Sequence, residues 1–226
     1  PNIGNPGFND RNEDPATNNT VLSGEIGLAG KTDNCYNVIA NFNNGLNSTA
    51  VLNGFTVSGA YHENTTSGGG MRNVSASPTV TNCIFSQNEM TTAGVGGGGG
   101  GGMTNSNSSP IISNCTFSNN TITGASGAGM LNEGASSPII SNCVFSNNMI
   151  IGTGAGCGLY NQGSNATPQI TNCEFINNTA GFGGGIGNLS AASITNCRFF
   201  GNMATNVIGG GGIFLQNSSL ALITNC

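Results

Sequence analysis

Charge is what this 226-residue chain has least of: Asp, Glu, Lys and Arg together make up 6% of it, four basic against nine acidic residues. So thin a basic complement excludes nucleic acid as a partner, because affinity for phosphates rests on clustered Lys and Arg. Tryptophan is absent and histidine occurs once, as His62. That residue lies in AYHENTT, which reads as a loop, and a solvated side chain is its simplest role; no Ser–His or Cys–His triad can be drawn. No run approaches the ~18 consecutive apolar residues of a membrane-crossing helix. The N-terminus lacks the charged and apolar regions of a signal peptide, so the chain reads as soluble, either mature or cut from something longer. No window carries the i, i+3, i+4 apolar pattern, and 38 glycines are too many for helical repeats.

What is present is repetition. SPIISNCTFSNN (109–120) returns as SPIISNCVFSNN (137–148) with one change, Thr116 to Val144. Taking the Cys of this motif as a landmark gives Cys83, Cys115, Cys143, Cys173, Cys197 and Cys226, spaced by 32, 28, 30, 24 and 29 residues. Between them stand glycine clusters: GGGMRN (68–73), GGMTN (101–105), GAGMLN (127–132), GCGLYN (156–161), GGGIGN (183–188) and GGGIF (210–214). Gly, Asn, Ser and Thr dominate, yet Val, Ile, Met and Phe recur at fixed places and the net charge is only -5, which favours order over disorder.

Within PIISNCTF, Ile112, Cys115 and Phe117 alternate as inward positions, and Ser113 and Thr116 as outward ones. Asn114 interrupts the alternation, and Asn tolerates the left-handed conformation that a sharp corner requires. The glycine cluster reads as a second corner leading into a third short strand, and the segment after FxxN, where unit length varies, as a surface loop. Three short strands per unit with a period near 30 predict an all-β fold, a parallel β-helix (solenoid) of about six to seven coils of 24–32 residues. Parallel connections favour the right hand. Residues 1–19 are expected as an irregular loop and 20–226 as one β-helix domain. STAVLNGFTVSG (48–59) is read as an earlier repeat with Gly54 where Cys would stand, and TVLSGEI (20–26) with NVIANF (37–42) as strands of the coil before it. Stacking places equivalent residues above one another. Phe85, Phe117, Phe145, Phe175 and Phe199 should form an inward aromatic stack. Asn82, Asn114, Asn142, Asn172, Asn196 and Asn225 should form a ladder of amides bonding from coil to coil. A further Asn column follows at Asn88, Asn120, Asn148, Asn178 and Asn202.

The cysteine column lies whole coils apart, not at zinc spacing, and reads as a buried thiol ladder whose parallel Cβ vectors disfavour disulfides. Cys35 and Cys157 stand outside it. The glycine run at 94–102 lacks the Lys and helix of a phosphate loop and reads as a flexible loop and corner. The column Thr81, Ser113, Ser141, Thr171, Thr195 and Thr224 has no second Thr column beside it, and coil lengths are unequal, which argues against ice binding. Asn-x-Ser/Thr sequons are expected by chance in so Asn-rich a chain. Catalytic carboxylates are scarce. The three Asp (Asp10, Asp14, Asp33) precede the regular coils, and beyond residue 91 only Glu133, Glu174 and Arg198 are charged. Glu174 and Arg198 should pair on the outer wall, worth under ~1 kcal/mol.

The pairing of GGGM or GGGI with FxxN (FSQN at 85–88, FSNN at 117–120 and 145–148, FINN at 175–178, FFGN at 199–202) resembles the repeats of polymorphic outer-membrane proteins and the right-handed β-helix surface proteins of bacteria. The order LSGEIG, DNCYNVI, TAVLNGFTVSG, GGGM is similar to the opening of the β-helix region in large secreted proteins of the Bacteroidota type. The resemblance implies an extracellular or cell-surface scaffold, stalk or adhesin-like module, and the scarcity of catalytic side chains adds that it is expected to be non-enzymatic and without cofactor. A solenoid with open ends leaves unpaired strand edges, so the expected partners are flanking coils of a longer chain or end-to-end neighbours, with a surface glycan or cell-surface protein contacted through loops. The β-helix also resembles pectate lyases and polygalacturonases, so a polysaccharide-binding or cleaving protein whose active residues lie outside the regular coils is the alternative, and a self-stacking filament subunit a further one. Because the chain stops at TNC, mid-coil, a segment of a longer solenoid is expected.

Overall fold

The computed structural model describes residues 20–27, 31–63, 68–91, 98–163, 165–216 and 220–226; the loop expected at 1–19 and part of the glycine run (94–97) lie outside them. One regular coil shows the design. β7 (Thr79–Thr81) is followed by a single-residue corner at Asn82, then β8 (Ile84–Ser86), a corner at Gln87, β9 (Glu89–Thr91), and, after the variable segment, β10 (Met103–Ser106). The pattern repeats to β27 (Leu222–Thr224), and like strands pair in parallel, in register, between coils. Four sheets result: sheet I of PII-type strands, sheet II of NCxF strands, sheet III of strands after FxxN, and sheet IV of strands after the glycines. Sheets I, II and IV have seven strands each and sheet III has six, so the described residues make between six and seven turns. Each complete coil from residue 51 onward therefore has four strands, not three. The segment expected to be wholly loop begins as a strand, because Met90, Ile122 and Ile150 supply an inward residue that pairs from coil to coil.

The corner slot is filled by Asn82, Asn114, Asn142, Asn172, Asn196 and Asn225, all with φ between 51° and 54°, the left-handed region in which Asn is the most tolerant residue after Gly. Gly54, at φ 78°, occupies that same slot. The register Leu52 to Val80 and Val57 to Phe85 then puts Phe55 in the cysteine column, which corrects the placing of Gly54 there. The second corner uses Asn119, Asn147 and Asn177, also left-handed.

Inside, sheet II contributes Phe85, Phe117, Phe145, Phe175 and Phe199, whose ring centroids lie 4.9–5.0 Å apart with planes within 4–8°. Sheet I contributes Val80, Ile112, Ile140, Ile170 and Ile194, each fully buried. A side chain of this size is worth about 1.5–3 kcal/mol when buried. The glycines before the Met-type strand face the Phe column. A Cβ on Gly129 would meet the Gly158 carbonyl oxygen at 2.4 Å and Phe145 Cδ1 at 3.2 Å, and one on Gly158 would meet Phe175 Cδ1 at 2.9 Å. The two sequence landmarks are thus the two sides of one contact, a ring packed on bare backbone. Gly98–Gly102 are buried and bonded to the next coil, for example Gly102 N to the Ala128 carbonyl at 3.0 Å, so this part of the glycine run is core and not a flexible loop.

Polar groups in the core are matched by amide ladders. Asn88, Asn120, Asn148, Asn178 and Asn202 are linked in sequence: each Nδ2 donates to the Oδ1 of the next at 2.9–3.0 Å. The same Oδ1 also accepts from the backbone N–H of the Asn in the preceding coil, and each Nδ2 donates to a second acceptor, as Asn148 does to the Phe117 carbonyl at 2.9 Å. Every donor and acceptor of a buried Asn148 is thereby used. A second ladder runs Asn41, Asn73, Asn105, Asn132, Asn161, Asn188 at 2.8–2.9 Å and closes on Ser190. It was visible as the last letter of GGGMRN and its kin, without a role.

The two kinds of Asn should respond oppositely to mutation. Asn148→Ala strands buried donors and acceptors and is expected to cost about 3 kcal/mol or more in urea unfolding, whereas Asn142→Gly keeps the left-handed corner and should change stability by well under ~1 kcal/mol. Equal losses at both positions would contradict the division between ladder and corner.

Candidate functional site

The columns singled out from sequence divide into core and surface. The Phe column is the core stack described above. Cys83, Cys115, Cys143, Cys173 and Cys197 are buried, Cys226 is exposed, and all eight cysteines are free thiols. Each column thiol donates to the carbonyl two residues back, as Cys115 Sγ does to Ser113 O at 3.2 Å, and reaches the preceding coil, Val80 O at 3.6 Å. Neighbouring thiols in the column and burial hold Cys143 well above an ordinary thiol, and burial pushes Cys157 up to about 12; these are packing groups, not nucleophiles. The corner column from Asn114 to Asn225 is exposed. Its side-chain links include Asn82 to Asn53 at 2.9 Å, Asn172 to Asn142 at 3.4 Å and Asn225 to Asn196 at 2.7 Å. The continuous amide ladders expected there lie in the core instead, where water cannot compete. Glu174 and Arg198 face outward on adjacent coils at 3.6 Å, a weak exposed pair.

Chemistry-bearing side chains gather in the first coils. A groove of about 540 Å³ opens along the corner between sheets II and III, lined by Glu25, Lys31, Asn34, Tyr61, Gln87, Glu89, Asn119 and Thr121. The carboxylates in and beside it are each held by a donor: Lys31 pairs with Glu89, Asn34 Nδ2 donates to Glu25 at 3.3 Å and to the Gly59 carbonyl at 2.7 Å, and the Tyr61 hydroxyl donates to Glu63 at 2.6 Å. That last bond, with burial and the charges of Glu63 and Glu89, pushes the Tyr61 phenol up to about 12. Asn34 is buried at 8% exposure, and its Oδ1 has no hydrogen-bond partner among the described residues. Fixed carboxylates, an amide and a phenol in one groove suit a ligand rich in hydroxyl donors. Among the described residues no three His, Cys, Asp or Glu converge on a point that could hold a metal ion.

His62 is not a loop residue. It sits on β5 (Tyr61–Glu63) in register with Met90, 5% exposed, with Tyr36 against it at 4.0 Å between ring centroids. Alternation in Ala60-Tyr61-His62-Glu63 was the signal for this strand. Burial, with the nearby Arg72 charge, pulls the imidazole below its ordinary value. A shallower groove of about 430 Å³ lies further along, at Ser106, Glu133, Gln162 and Asn165.

Four parallel sheets wound into one solenoid, with side-chain ladders along the axis, define a parallel β-helix. A family model described as a right-handed β-helix region matches residues 16–190, and the chain belongs to that family. No curated protein and no solved structure matches the chain.

The buried imidazole sets a pH dependence. Because His62 is harder to protonate folded than unfolded, the unfolded chain binds the proton first. Stability should be full above about pH 6.5 and fall as pH drops through the unfolded and then the folded value. His62→Gln should flatten this part of the stability profile; an unchanged slope would assign it to other groups.

Proposed function

We propose that this chain is a non-catalytic scaffold or adhesin-like module of a bacterial surface or secreted protein, with the groove at Glu25, Lys31, Asn34, Tyr61 and Glu89 as a contact for a hydroxylated, glycan-like ligand. The observation that carries the reading is the division of labour along the chain. From the third coil onward nearly every repeated side chain serves stacking, and the groups able to bind a ligand stand in the first coils and on the outer faces. Eight free thiols are compatible with an oxidising exterior because six of them are buried, and buried neutral thiols react slowly. The alternative, a polysaccharide-cleaving enzyme, draws on the same groove and on the occurrence of this fold among both enzymes and non-enzymes.

Two measurements test the reading together. The purified chain should bind cell surfaces or arrayed glycans and should release no unsaturated or reducing ends from acidic polysaccharides supplied with calcium. Turnover that disappears in Glu89→Gln would replace the scaffold by the enzyme; absence of binding to any surface or glycan would remove the adhesin-like part.

A further inference from the structure

The column thiols form one straight file. Each of Cys83, Cys115, Cys143, Cys173, Cys197 and Cys226 reaches the carbonyl two residues back at 3.1–3.4 Å and a carbonyl of the preceding coil at 3.6–3.9 Å. The same partners in every coil mean the same rotamer, so successive sulfurs stand at the coil spacing, 4.9–5.0 Å measured on the stacked rings. Backbone bonds such as Val144 N to the Cys115 carbonyl at 2.9 Å hold neighbouring cysteines in adjoining coils. All six are free thiols, and Cys83 to Cys197 lie in the apolar core with the Phe and Ile columns.

That spacing is too long for a disulfide, whose sulfurs stand ~2.05 Å apart. It suits a bridge of one atom. Two metal–sulfur bonds of ~2.3 Å laid end to end span ~4.6 Å, and a small rotation about χ1 at each end supplies the remaining few tenths of an ångström. Ligand number and charge then select the ion. Two sulfurs flank each gap, and among the described residues no three His, Cys, Asp or Glu converge, which leaves out zinc and other ions that need four ligands or more. Soft, thiolate-seeking ions that accept two ligands in a line remain. No Asp, Glu, Lys or Arg is buried among the described residues, and a net charge in such a core is costly. A monovalent ion between two thiolates leaves one negative charge, whereas a divalent ion that displaces two thiol protons leaves none.

We propose that adjacent thiols of the column pair as linear, two-coordinate sites for a soft divalent ion, mercury(II), each ion lying on the column between two coils. Two S–H bonds break and two S–Hg bonds form; with mercuric chloride as the source, two protons and two chlorides leave to water. Cys143, held well above an ordinary thiol by its neighbour Cys115 and by burial, is protonated at neutral pH, so its proton is among those released. Each thiolate serves one ion in the neutral complex, and six thiols therefore provide three sites. Burial closes the column once the coils have stacked, so loading accompanies folding. The proposal goes beyond the glycan-contact reading and does not depend on it.

The test uses the full chain carrying Cys35→Ser and Cys157→Ala, which keeps the column thiols alone. It is refolded from urea with mercuric chloride, then dialysed against dithiothreitol to remove ions held by a single thiol. It should retain three ions, release two protons for each, and show two sulfurs and no chloride per ion by X-ray absorption, with the circular dichroism of the ion-free chain. Two double variants on this background separate pairing from thiol number, since both keep four column thiols. Cys83→Ala/Cys115→Ala keeps two adjacent pairs and should hold two ions. Cys115→Ala/Cys173→Ala leaves Cys83 and Cys143 without a neighbour and should hold one ion, between Cys197 and Cys226. Equal capacities in the two variants overturn the pairing, as does a chain that refolds only when the ion is absent or retains none. Equal retention of zinc(II) or cadmium(II), or a preference for silver(I) over mercury(II), overturns the assignment of the ion. Where a double variant does not fold, X-ray absorption on the six-thiol chain decides, and fewer than two protein sulfurs per ion overturns the site.

Discussion

Everything in this molecule depends on keeping each coil directly above the last at about 4.9 Å. Backbone pairing between parallel strands sets that distance, but pairing alone does not prevent slippage, since a strand shifted by one residue would find equivalent partners while turning its side chains inside out. The register is fixed by side chains that tolerate no shift. Asn148 must meet Asn178 on one side and Asn120 on the other, and Phe145 must meet both neighbouring rings and the bare backbone of Gly129. The repeated sentence of the sequence is the condition that every coil match the one beneath it.

Much of this was legible before any coordinates. The period, the inward Phe, Cys and Ile columns and the left-handed corner at Asn114 follow from alternation and from the conformational tolerance of Asn. The fourth strand was harder to see. Strands such as Glu89–Thr91 and Thr121–Thr123 have one inward residue each and open a segment of variable length, so their own periodicity is too short to show. His62 was hidden for the same reason, a strand of three residues followed by polar sequence. The corner role of Asn82, Asn114 and their kin was read correctly, but the amide ladder was placed on that column and not on Asn88 to Asn202, because sequence shows where Asn recurs but not which recurrence is dry. The corner amides can bond to water, and only the core amides must bond to each other.

The groove in the first coils was the least legible feature. Glu25, Asn34, Tyr61 and Glu89 share no motif and are brought together by the close approach of Gly24 to Gly59 across the first turn, where a Cβ on Gly24 would lie 2.6 Å from the Gly59 carbonyl oxygen. The regular coils show themselves by repeating, and the groove-lining residues depart from the repeat, so periodicity reveals the coils first and the groove last.

The two core ladders share a direction. In both, Nδ2 donates toward the higher-numbered coil and Oδ1 accepts from the lower-numbered one, from Asn41 to Asn188 and from Asn88 to Asn202. Amide dipoles aligned head to tail reinforce one another, as peptide dipoles do along an α-helix. The solenoid therefore carries two parallel strings of side-chain dipoles in a dry interior, a polarised axis in an almost uncharged protein. Its high-numbered end is faintly positive and its low-numbered end faintly negative, so the two ends are electrostatically distinct although the coils between them are nearly identical.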